Sequence, residues 1–178
     1  MRFPFRMGLL SAALMVFALL VLVGTGLILS RDVEKGWEEY NKDNYNGALA
    51  HFLPLAIIGD PNAQESLGYF YFYKDEKIFP DSMAKAIMWF RKAAEQGYGY
   101  SALETGYWFF NGEGVKKDYV KASKWLRIAA DKRVEDAAFL LAEIYKDGLG
   151  EVPRDFLKAK FWYEEAVRYR DADPAQLE

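Results

Sequence analysis

Cysteine is absent from this chain of 178 residues, and histidine occurs once, as His51. Without cysteine the chain has no disulfide framework, no thiolate metal site and no cysteine nucleophile. A single histidine, expected on a packing face, leaves no imidazole for a serine triad or a second zinc ligand. The pairs Gly112/Gly114 and Gly148/Gly150 are expected in turns between helices, so they do not form a phosphate loop. The sequence therefore predicts no catalytic residue, cofactor, metal or small-molecule substrate.

A basic surface is also lacking, since the formal charge is −3. The first thirty residues contain Arg2 and Arg6 but no acid, which leaves 21 basic against 26 acidic side chains and a charge of −5 for the remainder. An acidic domain repels a phosphate backbone, so nucleic acid is not expected as a partner. The length and the 52% hydrophobic content suit one compact domain with an additional segment.

That additional segment is the uncharged stretch Met7–Leu29 of 23 residues. At about 1.5 Å per residue, a helix of this length spans a hydrocarbon core of about 30 Å. Arg2 and Arg6 precede it, whereas residues 31–35 mix two cations with two acids, which favours a cytoplasmic N-terminus. We predict that residues 1–30 are a single N-terminal membrane anchor in the inner membrane of a bacterium, with the remaining chain in the periplasm.

The alternative for this segment is a cleaved signal peptide, because a basic start and an apolar run describe that too. No Ala-x-Ala cleavage site is present, and Val23–Gly26 is followed by the apolar residues Leu27–Leu29. In this alternative the remaining chain is secreted after cleavage. Absence of cysteine leaves no site for a lipoprotein anchor.

Residues 63–170 contain a pattern that occurs three times with spacings of 36 to 38 residues, and its tryptophans are 36 and 37 residues apart. An aspartate, a Lys-Ala pair, a tryptophan and a closing alanine recur in phase, preceded by a small residue and an aromatic ring. The members are Asp81, Asp118 and Asp155; Lys85, Lys121 and Lys158; Trp89, Trp125 and Trp162; Ala94, Ala130 and Ala166; Gly68, Gly106 and Ala142; Tyr71, Phe109 and Tyr145. Such a period is typical of stacked structural repeats.

Each copy has the pattern of two amphipathic helices. Ala63, Leu67 and Tyr71 share a face in the first helix of one copy, and Ala86 and Trp89 do so in its second helix. A single helical hairpin cannot bury both apolar stripes, but stacked neighbours can. A more degenerate copy precedes these three, with His51 at the tryptophan position. The predicted repeats cover about 32–62, 63–100, 101–136 and 137–170 within a domain of residues 31–170, and residues 171–178 form a tail.

This combination resembles the Sel1-like repeat family, a branch of the tetratricopeptide-type α-solenoids. The residues that carry the resemblance are Leu67, Gly68, Gly106, Gly112, Gly114, Val115, Asp118, Lys121, Ala122, Trp125, Ala129 and Ala130, with their counterparts. The resemblance implies an all-α fold, a right-handed α-solenoid of about four helix-turn-helix repeats. It also implies a protein-interaction scaffold without catalytic residues.

Several positions depart from the family pattern. Glu165 stands where inner copies have Ala93 and Ala129, which predicts a solvated end. Arg133 replaces Gly97, so the end of that helix is open to question. Pro174 predicts that the last helix stops by about residue 172.

The face of each first helix opposite its packing stripe is the candidate binding surface. Aromatic and acidic side chains recur there, and in stacked hairpins this face lines the concave side. Rigid rings on such a face suit recognition of a protein partner. The alternative is that the rings pack within the stack. The candidate partner-binding residues are Tyr69, Phe72, Leu103, Tyr107, Phe110 and Glu143.

The sequence thus predicts a membrane-anchored scaffold that presents a helical-repeat groove outside the cytoplasm to a protein partner. Two alternatives remain. An envelope hydrolase would use two carboxylates among Glu65, Glu104 and Glu143 at a fixed separation in a cleft. A purely structural spacer would have no apolar side chains exposed on the concave face.

Overall fold

The computed structural model describes residues 32–73 and 81–172, and these residues form eight α-helices and no strand. The predicted all-α class is therefore confirmed. The helices are α1 (32–41), α2 (Tyr45–Ile57), α3 (Pro61–Phe72), α4 (Ser82–Glu95), α5 (Gly99–Asn111), α6 (Tyr119–Asp131), α7 (Glu135–Asp147) and α8 (Phe156–Asp171). The chain divides into two compact units, Met1–Leu55 and Ala56–Glu178.

The described part of the first unit is held by an aromatic contact between its two helices. The ring centres of Trp37 in α1 and Phe52 in α2 lie 5.2 Å apart, and Phe52 is fully buried. A Cβ at Gly36 would lie only 2.3 Å from the Phe52 ring, so close packing requires glycine there. His51 is half-buried, as a packing residue would be. Helix α2 continues through Pro54 to Ile57.

The second unit consists of helical hairpins in which each helix packs on the next along the chain. Helix α3 packs on α4, α5 on α6 and α7 on α8, and α4 and α6 also pack on the first helix of the following pair. The apolar stripes of both helices are buried by this stacking. The predicted α-solenoid is confirmed for the three pairs from α3 to α8 by this packing and by the structural comparisons reported below.

The recurring aspartate, lysine and aromatic ring form one local arrangement. Asp118 caps α6 by accepting a hydrogen bond from the backbone N–H of Lys121 at 2.9 Å. The Nζ of Lys121 lies 3.1 Å from the Asp118 carboxylate and 5.4 Å from the centre of the Phe109 ring. The last pair repeats this arrangement with Asp155, Lys158 and Tyr145. In these two pairs the sequence marker thus combines a helix cap, an ion pair and a cation–π contact, whereas the Asp81 side chain makes no capping hydrogen bond at the start of α4.

The two glycines in each Gly-x-Gly turn have different roles. Gly112 ends α5 with a φ of +79°, a conformation that favours glycine. Gly114 also has a positive φ, and a Cβ there would lie 2.8 Å from the side chain of Met83 in the preceding pair. Gly150 lies against Tyr119 in the same way. The second glycine therefore lets each turn approach the preceding second helix closely.

The replacement of Gly97 by Arg133 leaves the helix end unchanged. Arg133 adopts a φ of +64°, and its N–H donates to Ala130 at 2.8 Å, as the Gly97 N–H donates to Ala94 at 2.8 Å. The left-handed conformation is thus retained in spite of the added Cβ. Helix α8 ends at Asp171, in agreement with the predicted stop by about residue 172.

The prediction of a solvated Glu165 is wrong. Its side chain is only 12% exposed, and it pairs with Arg168 at 2.6 Å. The structural counterpart of Ala129 is Ala166, because α8 buries Ala166 together with Trp162. The repeat is one residue longer here than the alignment behind that prediction assumed.

The predicted membrane anchor at 7–29 lies outside the described residues, as does most of the predicted tail at 171–178. Among the helices of the described ranges, none combines the length and the apolar composition that a membrane span requires.

Candidate functional site

A groove lies between the first helices of two successive pairs, α5 and α7. Its volume is about 350 Å³. The residues that line it are Leu103, Glu104 and Tyr107 from α5 and Asp136, Phe139 and Leu140 from α7. Leu103 and Tyr107 are two of the six predicted partner-binding residues.

The repeat itself places these side chains opposite one another. Leu103 and Phe139 are 36 residues apart, as are Glu104 and Leu140, so equivalent positions of two repeats form the two walls. Ala102 and Thr105, adjacent to the α5 wall residues, are fully buried on the packing side. Stacking of the pairs therefore turns one helix face into a continuous surface.

The walls of the groove carry two exposed aromatic rings. Tyr107 is 42% exposed and Phe139 is 50% exposed. The Phe139 ring contacts Tyr163 of α8 edge-on, with ring centres 5.6 Å apart. Both walls of the groove thus offer apolar surface, and its burial by a partner is favourable.

Two carboxylates without cationic partners lie beside these rings. Glu104 is half-buried, burial raises its pKa, and its side chain pairs with no other residue of the described ranges. Asp136, in the first turn of α7, is exposed and has no ion pair within that part of the chain either. Asp136 also borders a second depression, which contains Arg133. No lysine or arginine is among the residues that line the groove itself.

The predicted residue Tyr69 lies on α3, within the electrostatic influence of Glu104. Its ring is half-buried and packs edge-on against Phe90, with ring centres 4.8 Å apart. Burial, followed by the negative charges of Glu65 and Glu104, raises the pKa of Tyr69 to about 12. Glu65 in turn accepts a hydrogen bond from the Ser101 hydroxyl at 2.7 Å. Acidic groups of α3 and α5 therefore act on the same ring.

Phe72, the other predicted residue on α3, is 37% exposed. Its ring centre lies 6.0 Å from that of Trp108, which is almost completely buried. The Phe72 ring thus packs near Trp108 on one side and remains partly exposed to solvent.

Phe110 and Glu143 lie elsewhere and make contacts within the chain. Phe110 is half-buried and contacts Tyr119 edge-on, with ring centres 5.3 Å apart. The Glu143 carboxylate accepts hydrogen bonds from Lys146 Nζ at 2.6 Å and from the Tyr163 hydroxyl. The hydrogen bond from Lys146 is the main reason that the pKa of Glu143 is lowered. Neither residue lines the groove.

Sequence reasoning did not select Glu104, Asp136 or Leu140 as candidate partner-binding residues. Phe139 belongs to the row that it followed, as the equivalent of Leu103, but was not among the six candidates. It followed one row of each first helix and considered Glu104 as a carboxylate of the alternative hydrolase. Glu104 and Leu140 belong to the next row, one residue further along each helix, which points about 100° away. Considering two adjacent rows of the exposed face would have found both.

The described residues contain no group of three or more histidine or acidic side chains placed to hold a metal ion. The cations along α6 are in part engaged within the chain. Arg127 pairs with Asp131 at 3.2 Å and lies 4.8 Å from the centre of the Trp162 ring. The anionic groove between α5 and α7 is therefore the more distinctive surface.

Comparison with known families gives a match to the Sel1 repeat at residues 61–98, 99–133 and 135–168. These three segments correspond to the pairs α3–α4, α5–α6 and α7–α8. Among curated proteins, the chain is 33% identical to protein sel-1 homolog 2 of Mus musculus over 72% of its own length and 19% of that protein. It is 28% identical to the ERAD-associated E3 ubiquitin-protein ligase component HRD3B of Arabidopsis thaliana, over 79% of the chain and 23% of that protein.

Two solved structures are similar. A Sel1 repeat protein from Oxalobacter formigenes superposes with a TM-score of 0.64 at 28% identity, over 77% of this chain and 55% of that one. The protective antigen c5321 of uropathogenic Escherichia coli strains, which displays an SLR fold, has a TM-score of 0.59 at 33% identity, over 75% and 31% of the two chains. The chain thus spans about a fifth of the length of the curated relatives and about half or less of these solved chains.

Proposed function

Because the chain belongs to the Sel1 repeat family, we propose that it is a membrane-anchored interaction scaffold that binds a protein partner outside the cytoplasm. The groove between α5 and α7 is the proposed binding surface. Leu103 and Tyr107 contact the partner from α5, and Phe139 contacts it from α7.

The family supports the general part of this proposal, since Sel1 repeat proteins mediate protein–protein interactions. One similar protein, HRD3B, is by its description a component of a ubiquitin-protein ligase. The identity of its partners does not transfer, because the chain covers only 23% of that protein.

The observation that carries the proposal is the exposure of Tyr107 and Phe139 at 42% and 50% in one groove. Large rings exposed side by side in a concavity are typical of recognition surfaces. A purely structural spacer would present a concave face without exposed apolar side chains. The two rings therefore favour binding over a spacer function.

The arrangement of acids favours binding over hydrolysis. Of the three glutamates that a hydrolase could use, Glu143 accepts a hydrogen bond from the Lys146 ammonium group, and Glu65 accepts one from the Ser101 hydroxyl. Glu104 lies in the groove with Asp136, but the Sel1 repeat family is generally non-enzymatic. A catalytic function is accordingly not part of the proposal.

The proposed location rests on the sequence of the N-terminal segment. The uncharged stretch Met7–Leu29 is long enough to span a bilayer, and Arg2 and Arg6 favour a cytoplasmic N-terminus. With that orientation the repeats lie on the opposite side of the inner membrane.

Site-specific crosslinking in the native membrane tests the binding surface. A photoreactive amino acid is placed at Tyr107 or Phe139 of the full chain, or as a control at Lys124, which is exposed on α6. We expect a discrete adduct from the two groove positions and none from Lys124. Equal adducts from all three positions, or adducts from Lys124 alone, would contradict the proposed surface.

The cysteine-free sequence offers a direct topology test, because a single introduced cysteine is the only thiol. A Lys124→Cys variant of the full chain should react with a membrane-impermeant maleimide in intact cells whose outer barrier is permeable to the reagent. Labelling only after lysis of the inner membrane would reverse the orientation. Recovery of a shortened chain outside the membrane fraction would instead identify a cleaved signal peptide.

A further inference from the structure

We propose that the groove between α5 and α7 binds a cationic segment of the partner, in which a lysine or arginine stands next to a large apolar residue. This inference rests on the proposed function, since it specifies the chemistry of the segment that the scaffold binds. It is argued from the charges of the groove, from its rings and from contacts that the chain makes elsewhere.

The available negative charge in this region is concentrated in the groove. Glu143, at the repeat position equivalent to Tyr107, is neutralised by Lys146 at 2.6 Å. Glu104 and Asp136 have no such partner within the described ranges, and no cation lines the groove. A carboxylate that is half-buried without a counter-ion gains more from an incoming cation than one fully in water. The elevated pKa of Glu104, caused by burial, is consistent with this unfavourable environment.

Two other sites in the chain show which group binds where a carboxylate lies near an aromatic ring. At the start of α6, Lys121 lies 3.1 Å from the Asp118 carboxylate and 5.4 Å from the centre of the Phe109 ring. At the start of α8, Lys158 lies 3.0 Å from Asp155 and 5.2 Å from the Tyr145 ring. In both cases one ammonium group satisfies a carboxylate and an aromatic ring together.

The groove contains two members of this three-part arrangement. Glu104 supplies a carboxylate and Tyr107, three residues further along α5, supplies a ring on the same side of the helix. The missing member is a cation, and a partner that supplies lysine or arginine would provide it. The alkyl stem of either side chain can also cover the ring while its charged end reaches the carboxylate.

The second requirement, a large apolar residue, follows from the opposite wall. Phe139 and Leu140 line this wall, where Asp136 is the one charged residue that α7 contributes to the lining, and Phe139 is 50% exposed. A volume of about 350 Å³ accommodates a few side chains of a short segment. An acidic segment would meet Glu104 and Asp136 unpaired, which is repulsive.

The test is a selection of short random peptides against the full chain held in lipid nanodiscs. Three variants are selected in parallel: Glu104→Gln with Asp136→Asn, Tyr107→Ala with Phe139→Ala, and a control. The control combines Glu113→Gln with Glu151→Gln, which removes two acids from exposed turns outside the groove. Far-UV circular dichroism of each variant verifies that the helices are retained.

With the unmodified chain we expect selected peptides in which lysine or arginine adjoins a large apolar residue. One such peptide should bind the groove-charge variant roughly tenfold more weakly and lose much of its salt dependence. Its affinity for the control should change by less than about twofold. Because the control has the same net charge as the groove-charge variant, a difference between them reports the position of the charges.

The other outcomes separate this inference from the proposed function. If the selected peptides are apolar without enrichment in lysine or arginine, and the ring variant loses them, the groove binds peptides but the charge inference fails. If binding is unaffected by both groove variants, the groove is not the binding surface and both proposals fail. If no peptide is enriched, the inference that the groove binds a short cationic segment is overturned.

Discussion

Helices α6 and α8 occupy the same position in two successive pairs, yet their surroundings differ. Helix α6 packs against both α5 and α7, whereas α8 packs mainly against α7. Ala130 of α6 is fully buried, and its counterpart Val167 is 45% exposed. The comparison shows that burial in this fold is set by the neighbouring pair more than by the position within the repeat.

Tyr119 and Phe156 show the same difference at the start of these helices. Tyr119 is half-buried, because Gly150 of the following turn approaches its ring and Phe110 packs edge-on against it. Phe156, the equivalent residue of α8, is 65% exposed. A stacked repeat therefore gains much of its stabilisation from contacts that the next repeat supplies.

The largest expected effect is on the core residue Leu126 of α6, compared with its counterpart Tyr163. Leu126 is fully buried, so Leu126→Ala should reduce the free energy of unfolding by about 3 kcal/mol through lost burial and a cavity. Tyr163→Ala should cost less, about 1–2 kcal/mol, because Tyr163 is only half-buried. Urea unfolding of the full chain, followed by tryptophan fluorescence, measures both. Equal losses would contradict the difference between the two helices.

A second pair of variants exchanges alanine and valine at equivalent positions of α6 and α8. Ala130→Val should cost about 1–3 kcal/mol, because a fully buried position has no space for two more methyl groups. Val167→Ala should change stability by no more than about 0.5 kcal/mol, since the side chain is 45% exposed. Thermal unfolding of the two variants side by side decides this. If Ala130→Val were as well tolerated as Val167→Ala, the covered position would not be tightly packed.

The fold could be predicted because its signal is repeated. Ala86, Ala122 and Ala159 recur in phase, and all three are buried as expected. The length of the last repeat could not be fixed in this way, and the resulting one-residue error misplaced Glu165. Trp108 is 1% exposed, although it lies in Tyr107–Phe110, a run of four aromatic residues without periodic contrast. A period reveals a face only where neighbouring residues differ in polarity.

The candidate site was predictable only in part, for a different reason. Helical periodicity placed Leu103 and Tyr107 on the open face of α5, and both line the groove. Periodicity could not show that Phe110 packs on Tyr119 of another helix. Likewise, periodicity could not show that the Tyr163 hydroxyl of α8 donates a hydrogen bond to Glu143. Tertiary partners decide which residues of an open face remain available.

A smaller effect is expected at the helix ends, where Gly97 and Arg133 share one backbone conformation. Gly97→Ala should cost about 1 kcal/mol, because a Cβ is disfavoured at a φ of +86°. Arg133→Gly relieves that strain but loses the contact of Arg133 with the Tyr169 ring at 5.7 Å and adds freedom to the unfolded chain. Its net effect should stay within about 0.5 kcal/mol of zero. Denaturation midpoints test both, and marked stabilisation by Gly97→Ala would contradict the strain argument.

The smallest effect on stability at neutral pH is expected for Tyr69→Phe. Tyr69 is a half-buried residue of α3 that packs on α4, so this variant tests burial in an earlier pair. Burial raises the pKa of Tyr69 from 10 to about 12, so the folded chain keeps this phenol protonated while the unfolded chain ionises it. The corresponding stability is present below about pH 10 and is lost as the pH rises from about 10 to 12. The unmodified chain should therefore lose stability in that window, and Tyr69→Phe should lose less. The chain has twelve tyrosines, so the difference in tyrosinate absorbance between the unmodified chain and Tyr69→Phe isolates the ionisation of Tyr69. A difference that titrates near pH 10 in the folded chain would show that the ring is hydrated and not covered.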